Sequence, residues 1–292
     1  MNRFFFYLLM TIMCVFAAKV ARAADLKLPD DAVAGQSITI GTSGDGSVTL
    51  YLFGPGQAIK RSISLGHEIS LKGEDLRNAG LYTLIISGGD NPVSRQLYVQ
   101  PAAPAKINFL ARPSRVPVAR PNVITGTAFI FDDFQNLVLA PTSVKFDLSV
   151  KDGGTTSRTV TSKYGVAFLD LGSSAKEGAA QLVASAGQAN VRRVVQQVAA
   201  DPCGGSLRMS VHREKDWLIA ETAPVHDCSG NPVPDGTIVT FIEQSSNGGR
   251  STVDARIKKG IARAQLPVQP NAIVTVAAGV VLGNEVRVGG GE

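Results

Sequence analysis

Hydrophobic and polar positions alternate in short runs along most of this chain. In VKFDLSVK, which begins at Val144, every second residue is apolar as far as Val150. A period of two is typical of a strand with one buried face and one solvated face. Almost no window has apolar residues at helical spacing, and only GEDLRNAG suits a single helical turn. The pattern predicts an all-β fold, with further strands in SITIG, SVTLYLF, LYTLIIS, NVITGTAFIF, LRMSVHR, WLIAETAPV, TIVTFIE and AIVTVAAG.

Two blocks of sequence recur at one offset. DDFQNLVLAPTSVKF begins at residue 132 and DCSGNPVPDGTIVTF at residue 227, an offset of 95. KYGVAFLDL, from residue 163, matches KKGIARAQL, from residue 258, at the same offset. Agreement of two separated blocks indicates an internal repeat. The matched pairs include Asp132 with Asp227, Asn136 with Asn231, Val138 with Val233, Thr142 with Thr237, Val144 with Val239 and Phe146 with Phe241.

The repeat divides the chain into three predicted domains, 24–101, 102–200 and 201–292. The first lacks the repeated blocks and has NAGLYTLII instead, with Tyr82 two residues after Gly80. Tyr82 is either a tyrosine corner of an immunoglobulin-like sandwich or an ordinary strand aromatic. The stretches VQPAAPAKI and VAADPC between the domains suit semi-rigid linkers.

The first 23 residues have the order of a secretory signal peptide. Arg3 precedes the apolar run Phe4–Ala18, and the small-residue site Ala21-Arg22-Ala23 follows. A transmembrane anchor is the alternative, but the run is shorter than the roughly 20 residues that span a bilayer. Cys14 lies in the middle of the run, which disfavours a lipoprotein. We predict cleavage before Ala24, export to the periplasm or the outside, and no integral membrane segment after processing.

The charge of the processed chain excludes one class of partner. The full chain has a formal charge of +5; loss of Arg3, Lys19 and Arg22 leaves 26 basic residues against 24 acidic ones, or +2. Binding to a nucleic-acid backbone needs clustered Lys and Arg. The pairs Arg192-Arg193 and Lys258-Lys259 are interpreted as solvated strand ends, so no nucleic-acid partner is predicted.

Two cysteines, Cys203 and Cys228, remain after processing. An oxidising compartment favours one disulfide between them. They flank the first two strands of the third domain, and antiparallel order brings both to the same end. A zinc site is the alternative, but neither a CxxC pair nor a nearby HxxxH accompanies them.

The third domain resembles the bacterial immunoglobulin-like domain of the invasin and intimin type. The resemblance rests on DCSGNPVPDGTIVTF, KKGIARAQL and TVAAG, because this family has a turn of the form D-x-x-G-N-P-V-P and a later K-G-x-A hairpin. It covers the last domain well, the second in degraded form and the first at the level of fold. It implies three tandem immunoglobulin-like β-sandwiches. The outer-membrane barrel that anchors invasins is absent, so their host-cell binding is not carried over.

The turn in HDCSGNPVPDG is interpreted as a stiff structural corner between two strands. Gly230 and Asn231 tolerate positive φ, Pro232 and Pro234 fix φ, and Val233 between them is free to point into the sandwich. A ligand loop is the alternative. The residues assigned to this structural turn are Asp227, Gly230, Asn231, Pro232 and Pro234.

Candidates for catalysis are few. His67, His212 and His226 lack HExxH or H-x-E spacing, and no GxSxG elbow accompanies them. A Ser-His-Asp set assembled by the fold stays open, because such sets converge in space rather than in sequence. The expectation is no catalytic residue, no metal and no cofactor.

Three further features have competing interpretations. GTSGDG, residues 41–46, suggests a phosphate loop, but without a following Lys-Ser/Thr and helix it favours a hairpin turn. Asp132, Asp133 and Asn136 are candidates for calcium, whereas the repeat makes Asp132 the structural counterpart of Asp227. Trp217 is either a sugar platform or, as its strand suggests, a core aromatic.

These observations predict an exported, non-catalytic binding or spacer protein, a rod of tandem immunoglobulin-like domains with a possible role in adhesion. Its expected partner is a protein or another envelope component. The alternative is a structural subunit of an envelope assembly, such as a secretion, conjugation or surface-appendage machine. An enzyme ranks third.

Overall fold

Strands make up nearly all the regular structure in this computed structural model, which describes residues 24–88, 91–151 and 154–289. The predicted signal peptide lies outside the described residues. The described part contains no α-helix, and its one 3-10 helix, Gly73–Leu76, is the turn expected in GEDLRNAG. No helix among these residues has the length and apolar character to cross a bilayer. The all-β prediction is confirmed.

The first segment, residues 24–101, consists of two sheets. Their strand orders are β1-β3-β6 and β2-β8-β7-β4-β5, and within the second sheet β2 runs parallel to β8. The strands are β1 (Asp25–Lys27), β2 (Ala32–Val33), β3 (Ile38–Ser43), β4 (Ser47–Gly54), β5 (Gln57–Ser64), β6 (Ile69–Leu71), β7 (Gly80–Ser87) and β8 (Val93–Gln100).

The second segment, residues 102–200, repeats this plan. Its sheets have the orders β14-β11-β9 and β10-β16-β15-β12-β13, with β10 parallel to β16. The strands are β9 (Lys106–Arg112), β10 (Arg115–Pro117), β11 (Ile124–Phe131), β12 (Ser143–Val150), β13 (Gly154–Thr161), β14 (Val166–Leu171), β15 (Gly178–Ala186) and β16 (Ala189–Val198).

The third segment, residues 201–292, is described to residue 289 and has the sheets β17-β18-β21 and β20-β19-β22-β23. Its strands are β17 (Met209–Glu214), β18 (Trp217–Thr222), β19 (Ile238–Gln244), β20 (Arg250–Arg256), β21 (Arg263–Pro267), β22 (Ala272–Ala278) and β23 (Val281–Val288). Two facing antiparallel sheets are the architecture of an immunoglobulin-like sandwich.

The middle strands β4, β12 and β19 place apolar side chains in the cores. In β12 every second residue from Val144 to Val150 is buried, as the alternation predicts. Three buried residues occupy equivalent positions, because each is the fourth residue of its strand, and the 95-residue offset also matches Phe146 with Phe241. Each lies in register with an apolar residue of the next core strand. They are Leu50 opposite Ile86, Phe146 opposite Ala184 and Phe241 opposite Val276.

The chain divides into two compact units. One holds the described residues up to Lys106 together with Ile130–Ala140; the other holds Ile107–Phe129 and the described residues from Pro141 onward. The loop that the sequence repeat assigns to the second segment is therefore part of the same compact unit as the first segment. The three domain boundaries stay a prediction.

Two details of the sequence interpretation are wrong. Trp217 is 49% exposed rather than a core aromatic, because Leu218 and Ala220 face the core and alternation turns Trp217 to the other side. GTSGDG does not form a hairpin: β3 pairs with β1 and β6, whereas β4 pairs with β5 and β7, so the turn connects two sheets.

Candidate functional site

The corner between β18 and β19 is organised around the carboxylate of Asp227. This side chain is only 3% exposed and accepts the N–H groups of Ser229 at 2.8 Å, Asn231 at 2.9 Å and Ala200 at 3.0 Å. The Asn231 side-chain amide donates to the same carboxylate at 3.0 Å. Each of these bonds is charge-assisted. Asp227 therefore stabilises the corner and also binds the corner to Ala200, where the chain enters the third segment.

The backbone of the corner agrees with its glycine, whereas Asn231 does not adopt the positive φ that its residue type tolerates. Gly230 has a φ of +82°, a region that glycine occupies without strain. Val233 is buried, whereas Pro232 and Pro234 on either side of it are exposed. The prolines therefore stiffen the exposed path while the valine between them enters the core.

The environment of Asp227 also sets its protonation. Burial by itself raises the pKa of this carboxyl. The hydrogen bonds from Asn231, Ala200 and Ser229 outweigh that effect and lower the pKa below its ordinary value of 3.8. Asp227 is therefore ionised at neutral pH.

The second segment contains a copy of this corner. Asp132 is fully buried and accepts the N–H groups of Phe134 at 2.9 Å, Asn136 at 2.8 Å and Ala102 at 2.9 Å. The side-chain amide of Asn136 donates to it at 2.8 Å. Four N–H donors surround this carboxylate, which favours the structural interpretation of Asp132 over a calcium site.

The Asn231 side chain also contacts the second segment, and both belong to one compact unit. Its amide nitrogen donates to the carbonyl of Ala175 at 2.7 Å, and its amide oxygen accepts the N–H of Glu177 at 3.2 Å. Asn231 thus joins its own corner to the loop that precedes β15.

Asn136 makes the same pair of contacts with the first segment. It donates to the carbonyl of Arg77 at 2.8 Å and accepts the N–H of Ala79 at 2.8 Å. In both cases the two backbone groups are two residues apart, immediately before a strand that begins at a positive-φ glycine, Gly80 or Gly178. We call Asn136 and Asn231, with these contacts, the Asn clamps.

Sequence reasoning placed Asn136 and Asn231 at equivalent positions but missed their second role. The available signal was their identity across the 95-residue offset, within a corner whose glycine and prolines are not repeated. The loops that they bind are residues 77–79 and 175–177. These two loops share no residue pattern that would have marked them as partners of the asparagines.

Phe134 adds an aromatic contact to the first clamp. A Cβ atom on Gly35 would lie 2.1 Å from the Phe134 ring, so the ring packs directly on this glycine. The Arg77 guanidinium lies 5.6 Å from the ring centroid, within cation–π range. The first clamp therefore combines a polar contact with ring packing.

The structure joins Cys203 and Cys228 by a disulfide. The Cys203 N–H donates to the carbonyl of His226 at 3.0 Å, and the Ser206 hydroxyl donates to that same carbonyl. The bond thus fixes the start of the third segment beside the corner, at the end predicted from strand order. Formation of this disulfide in the exported protein stays a prediction.

Glu243, in β19, is a buried carboxyl without a hydrogen-bond partner. It is 1% exposed, and neither carboxylate oxygen has a donor within reach. Burial raises the pKa of this group, and it is the single cause of the shift. Leu52 and Leu148 occupy the equivalent positions, two residues after Leu50 and Phe146. Glu243 therefore places an ionisable group where the other two segments have leucine.

The histidines have ordinary surroundings. His67 lies exposed in the turn between β5 and β6, and its carbonyl accepts the Thr42 hydroxyl at 2.6 Å. His212 is exposed on β17, and the His226 ring nitrogen Nδ1 lies 3.0 Å from the Pro224 carbonyl. Within residues 24–88, 91–151 and 154–289, no three His, Cys, Asp or Glu side chains are grouped to hold a metal.

Tyr82 has the geometry of a tyrosine corner. The side chain is buried, and its hydroxyl donates to the carbonyl of Asn78, four residues upstream, at 2.9 Å. A Cβ atom on Gly54 would lie 2.2 Å from the ring, so only glycine leaves room at that position. Of the two sequence interpretations of Tyr82, the structure supports the tyrosine corner.

Comparison with known proteins gives structural neighbours rather than sequence relatives. No protein-family model and no curated protein sequence matches the chain. Its structure is similar to that of FdeC, an Escherichia coli adhesin, with a TM-score of 0.60 and 16% identity over 93% of this chain and 100% of that one. It is similar to InvD of Yersinia pseudotuberculosis, with a TM-score of 0.52 and 11% identity over 91% and 96%. Invasin, a bacterial integrin-binding protein, gives a TM-score of 0.50 and 14% identity over 90% of this chain and 58% of that one. The fold of this chain is therefore that of bacterial immunoglobulin-like proteins of the invasin and intimin type, as the motifs of the third segment predict.

Proposed function

We propose that this protein is an exported, non-catalytic binding or spacer protein that acts in adhesion. The observation that carries the proposal is the pair of Asn clamps, since within its own compact unit each ties a corner to the loop that precedes β7 or β15 through the same backbone groups. The side-chain amides of Asn136 and Asn231 are thereby occupied by structural contacts. FdeC, an adhesin, supports the same role through its fold.

The polar groups of the two corners support a structural rather than a catalytic role. Asp132 and Asp227 are saturated by N–H donors, and the Asn clamps bind backbone groups with both ends of their amides. A general base needs a free lone pair within reach of a substrate proton, which neither aspartate offers. Ligands of sandwich proteins are instead met by loops at the ends or by sheet edges.

Export is supported by the N-terminal sequence and by the cysteine pair. A periplasmic or extracellular location would allow the Cys203–Cys228 disulfide to persist. Mass spectrometry of protein recovered from its native cells measures both features together. We expect a chain that begins at Ala24 and is lighter by the two hydrogens lost on disulfide formation.

The adhesive role is tested by binding and co-purification in the native organism. Purified protein should bind a cell surface or matrix in a saturable manner, and a variant with all three histidines changed to alanine should bind equally. Failure of surface binding, with stoichiometric recovery alongside envelope proteins after in-cell crosslinking, would instead identify a subunit of an envelope assembly. Loss of surface binding in the histidine variant, with the fold and disulfide intact, would contradict the proposal, because it would assign the histidines a direct role.

A further inference from the structure

The strands β5, β13 and β20 each form a hairpin with the preceding middle strand. They differ at the position that pairs with Leu50, Phe146 or Phe241. Directly opposite the equivalent core residues lie Arg61 in β5, Arg158 in β13 and Val253 in β20. Arg61 forms an ion pair with Asp75 at 2.7 Å, and Arg158 is exposed. The third segment alone has an apolar residue at this position.

This position matters because β5, β13 and β20 are the edge strands of their sheets. A charged side chain that points inward at an edge prevents another strand from pairing there, since pairing would bury the charge. The first two segments carry an arginine at this position of the edge strand and β20 does not. Val253 and Ala255 are half-buried and line a groove of about 790 Å³ with Ile261 and Ala264, between β20 and β21.

The backbone of β20 offers free hydrogen-bonding groups to this groove. The Ile257 N–H donates to the carbonyl of Thr237 at 2.9 Å, which fixes the hydrogen-bonded pairs of the β19–β20 ladder at odd-numbered residues. In an antiparallel ladder the alternate residues point their N–H and C=O groups outward. These residues are Thr252, Asp254 and Arg256. In the described part of the chain no strand pairs with that side of β20.

The charges along this edge are self-complementary. If β20 pairs antiparallel with a second β20 about a two-fold axis at Ala255, Asp254 lies opposite Arg256 of the second copy, and the reverse pair follows by symmetry. An axis at Val253 would instead place Arg250 opposite Arg256, a repulsive pair. Charge therefore selects the register centred on Ala255.

We propose that the protein forms a two-fold dimer through antiparallel pairing of the β20 edge strands of two copies, centred on Ala255. Backbone hydrogen bonds form between residues 254 and 256 of the two copies, and Asp254 pairs with Arg256 of the second copy on the solvent face. Val253 and Ala255 are covered on the inner face. The two four-stranded sheets become one continuous sheet.

A charge-exchange experiment tests the pairing. The wild-type chain 24–292 should sediment as a dimer that dissociates on dilution. D254R alone and R256D alone should each weaken dimerisation by about tenfold or more, because each places like charges opposite one another. A mixture of the two variants should dimerise, since each supplies the charge that the other needs, and the double variant D254R/R256D should behave as wild type. Association of the single variants as tight as wild type would overturn the proposal.

Cysteine crosslinking tests the register. Ala255 faces its own copy at a non-hydrogen-bonded pair, where Cα atoms approach to about 4.5 Å. A255C should therefore form an intermolecular disulfide under mild oxidation. V253C should not, because residue 253 has no self-contact in this register. Preferential crosslinking of V253C would overturn it.

V253R supplies a further variant, because it introduces the residue type that the other two segments have at this position. It should abolish dimerisation, and thermal unfolding of the monomer measures the stability lost with the packing of Val253 against the core. A wild-type chain that stays monomeric, with no A255C crosslink, would overturn the proposal. The β20 edge would then be available for pairing with an extended segment of a different protein.

Discussion

Two carboxylates of the third segment have opposite environments, and each leads to a prediction at the scale of the residue. Asp227 is surrounded by N–H donors, which lower its pKa, whereas Glu243 has no donor and burial raises its pKa. Ionisation therefore stabilises the fold at Asp227 and destabilises it at Glu243. The two groups contribute to stability with opposite dependence on pH.

Replacing Asp227 with Asn should destabilise the fold by about 2 kcal/mol at pH 7, because an amide cannot accept all the hydrogen bonds that the carboxylate accepts. Since the folded-state pKa is depressed, this contribution is present above the unfolded value near 3.8 and is lost as pH falls through the folded value. Urea unfolding at pH 7 and at pH 3 measures the effect. A difference between wild type and D227N that does not shrink on acidification would contradict this assignment.

Replacing Glu243 with Leu, the residue of the other two segments, should stabilise the fold by about 2 kcal/mol at pH 7. A raised folded-state pKa means that the penalty is absent below the ordinary value near 4.5, grows as pH rises through the window above it, and is complete above the folded value. Denaturant unfolding as a function of pH measures it. E243Q isolates the charge, because it keeps the size and polarity. If the wild-type chain and E243L were equally stable at pH 7, the prediction would be contradicted, because the Glu243 carboxylate would then have a hydrogen-bond or charge partner.

At the scale of the element, the sequence predicts what depends on local pattern. The strands and the corner follow from alternation and from turn residues, and Val144–Val150 lies in β12 as expected. The positive φ of +69° at Gln135 shows that the corner survives loss of the glycine of the third segment. Enough of its geometry is held by Asp132.

Long-range contacts are what the sequence does not reveal. Trp217 follows the strand pattern but lies on the side away from the core, which depends on where the second sheet packs. The Asn clamps bind backbone groups, which carry no residue identity, so nothing in the bound loops marks them. In the sequence Glu243 is indistinguishable from the other polar residues of the strands, and only the fold shows that it is buried.

Gly54 should tolerate no side chain, because a Cβ atom there would enter the ring of Tyr82. Gly54→Ala is expected to destabilise the fold by about 1–3 kcal/mol through overpacking. Gly41→Ala, in β3, is the matched control, since its Cβ would be at an ordinary 3.5 Å from Lys27. Thermal unfolding of the two variants compares them, and equal melting temperatures would contradict the packing of the tyrosine corner.

The Cys203–Cys228 disulfide closes a loop with a sequence separation of 25 residues. The chain-entropy model gives about 3 kcal/mol for a loop of this size. A variant with both cysteines changed to serine should lose stability of that order in guanidinium unfolding, as should the reduced wild type. An unchanged midpoint, or two free thiols in protein taken from its native compartment, would argue against a structural role.

At the scale of the whole molecule, one device recurs. Each clamp binds a carbonyl and an N–H two residues apart, just before a strand that begins at a positive-φ glycine. Each clamp is in turn held by an aspartate that also binds the chain entering its segment. Each corner is thereby coupled to a loop of the same compact unit.

The central claim is that each clamp holds the loop before β7 or β15 against its corner, and amide hydrogen exchange of the full chain tests it most directly. We predict that the Ala79 and Glu177 amides exchange slowly in the wild type, that Asn136→Ala accelerates Ala79 alone and that Asn231→Ala accelerates Glu177 alone. Exchange of both amides at the rate of an open loop in the wild type, or no change in either variant, would contradict the claim.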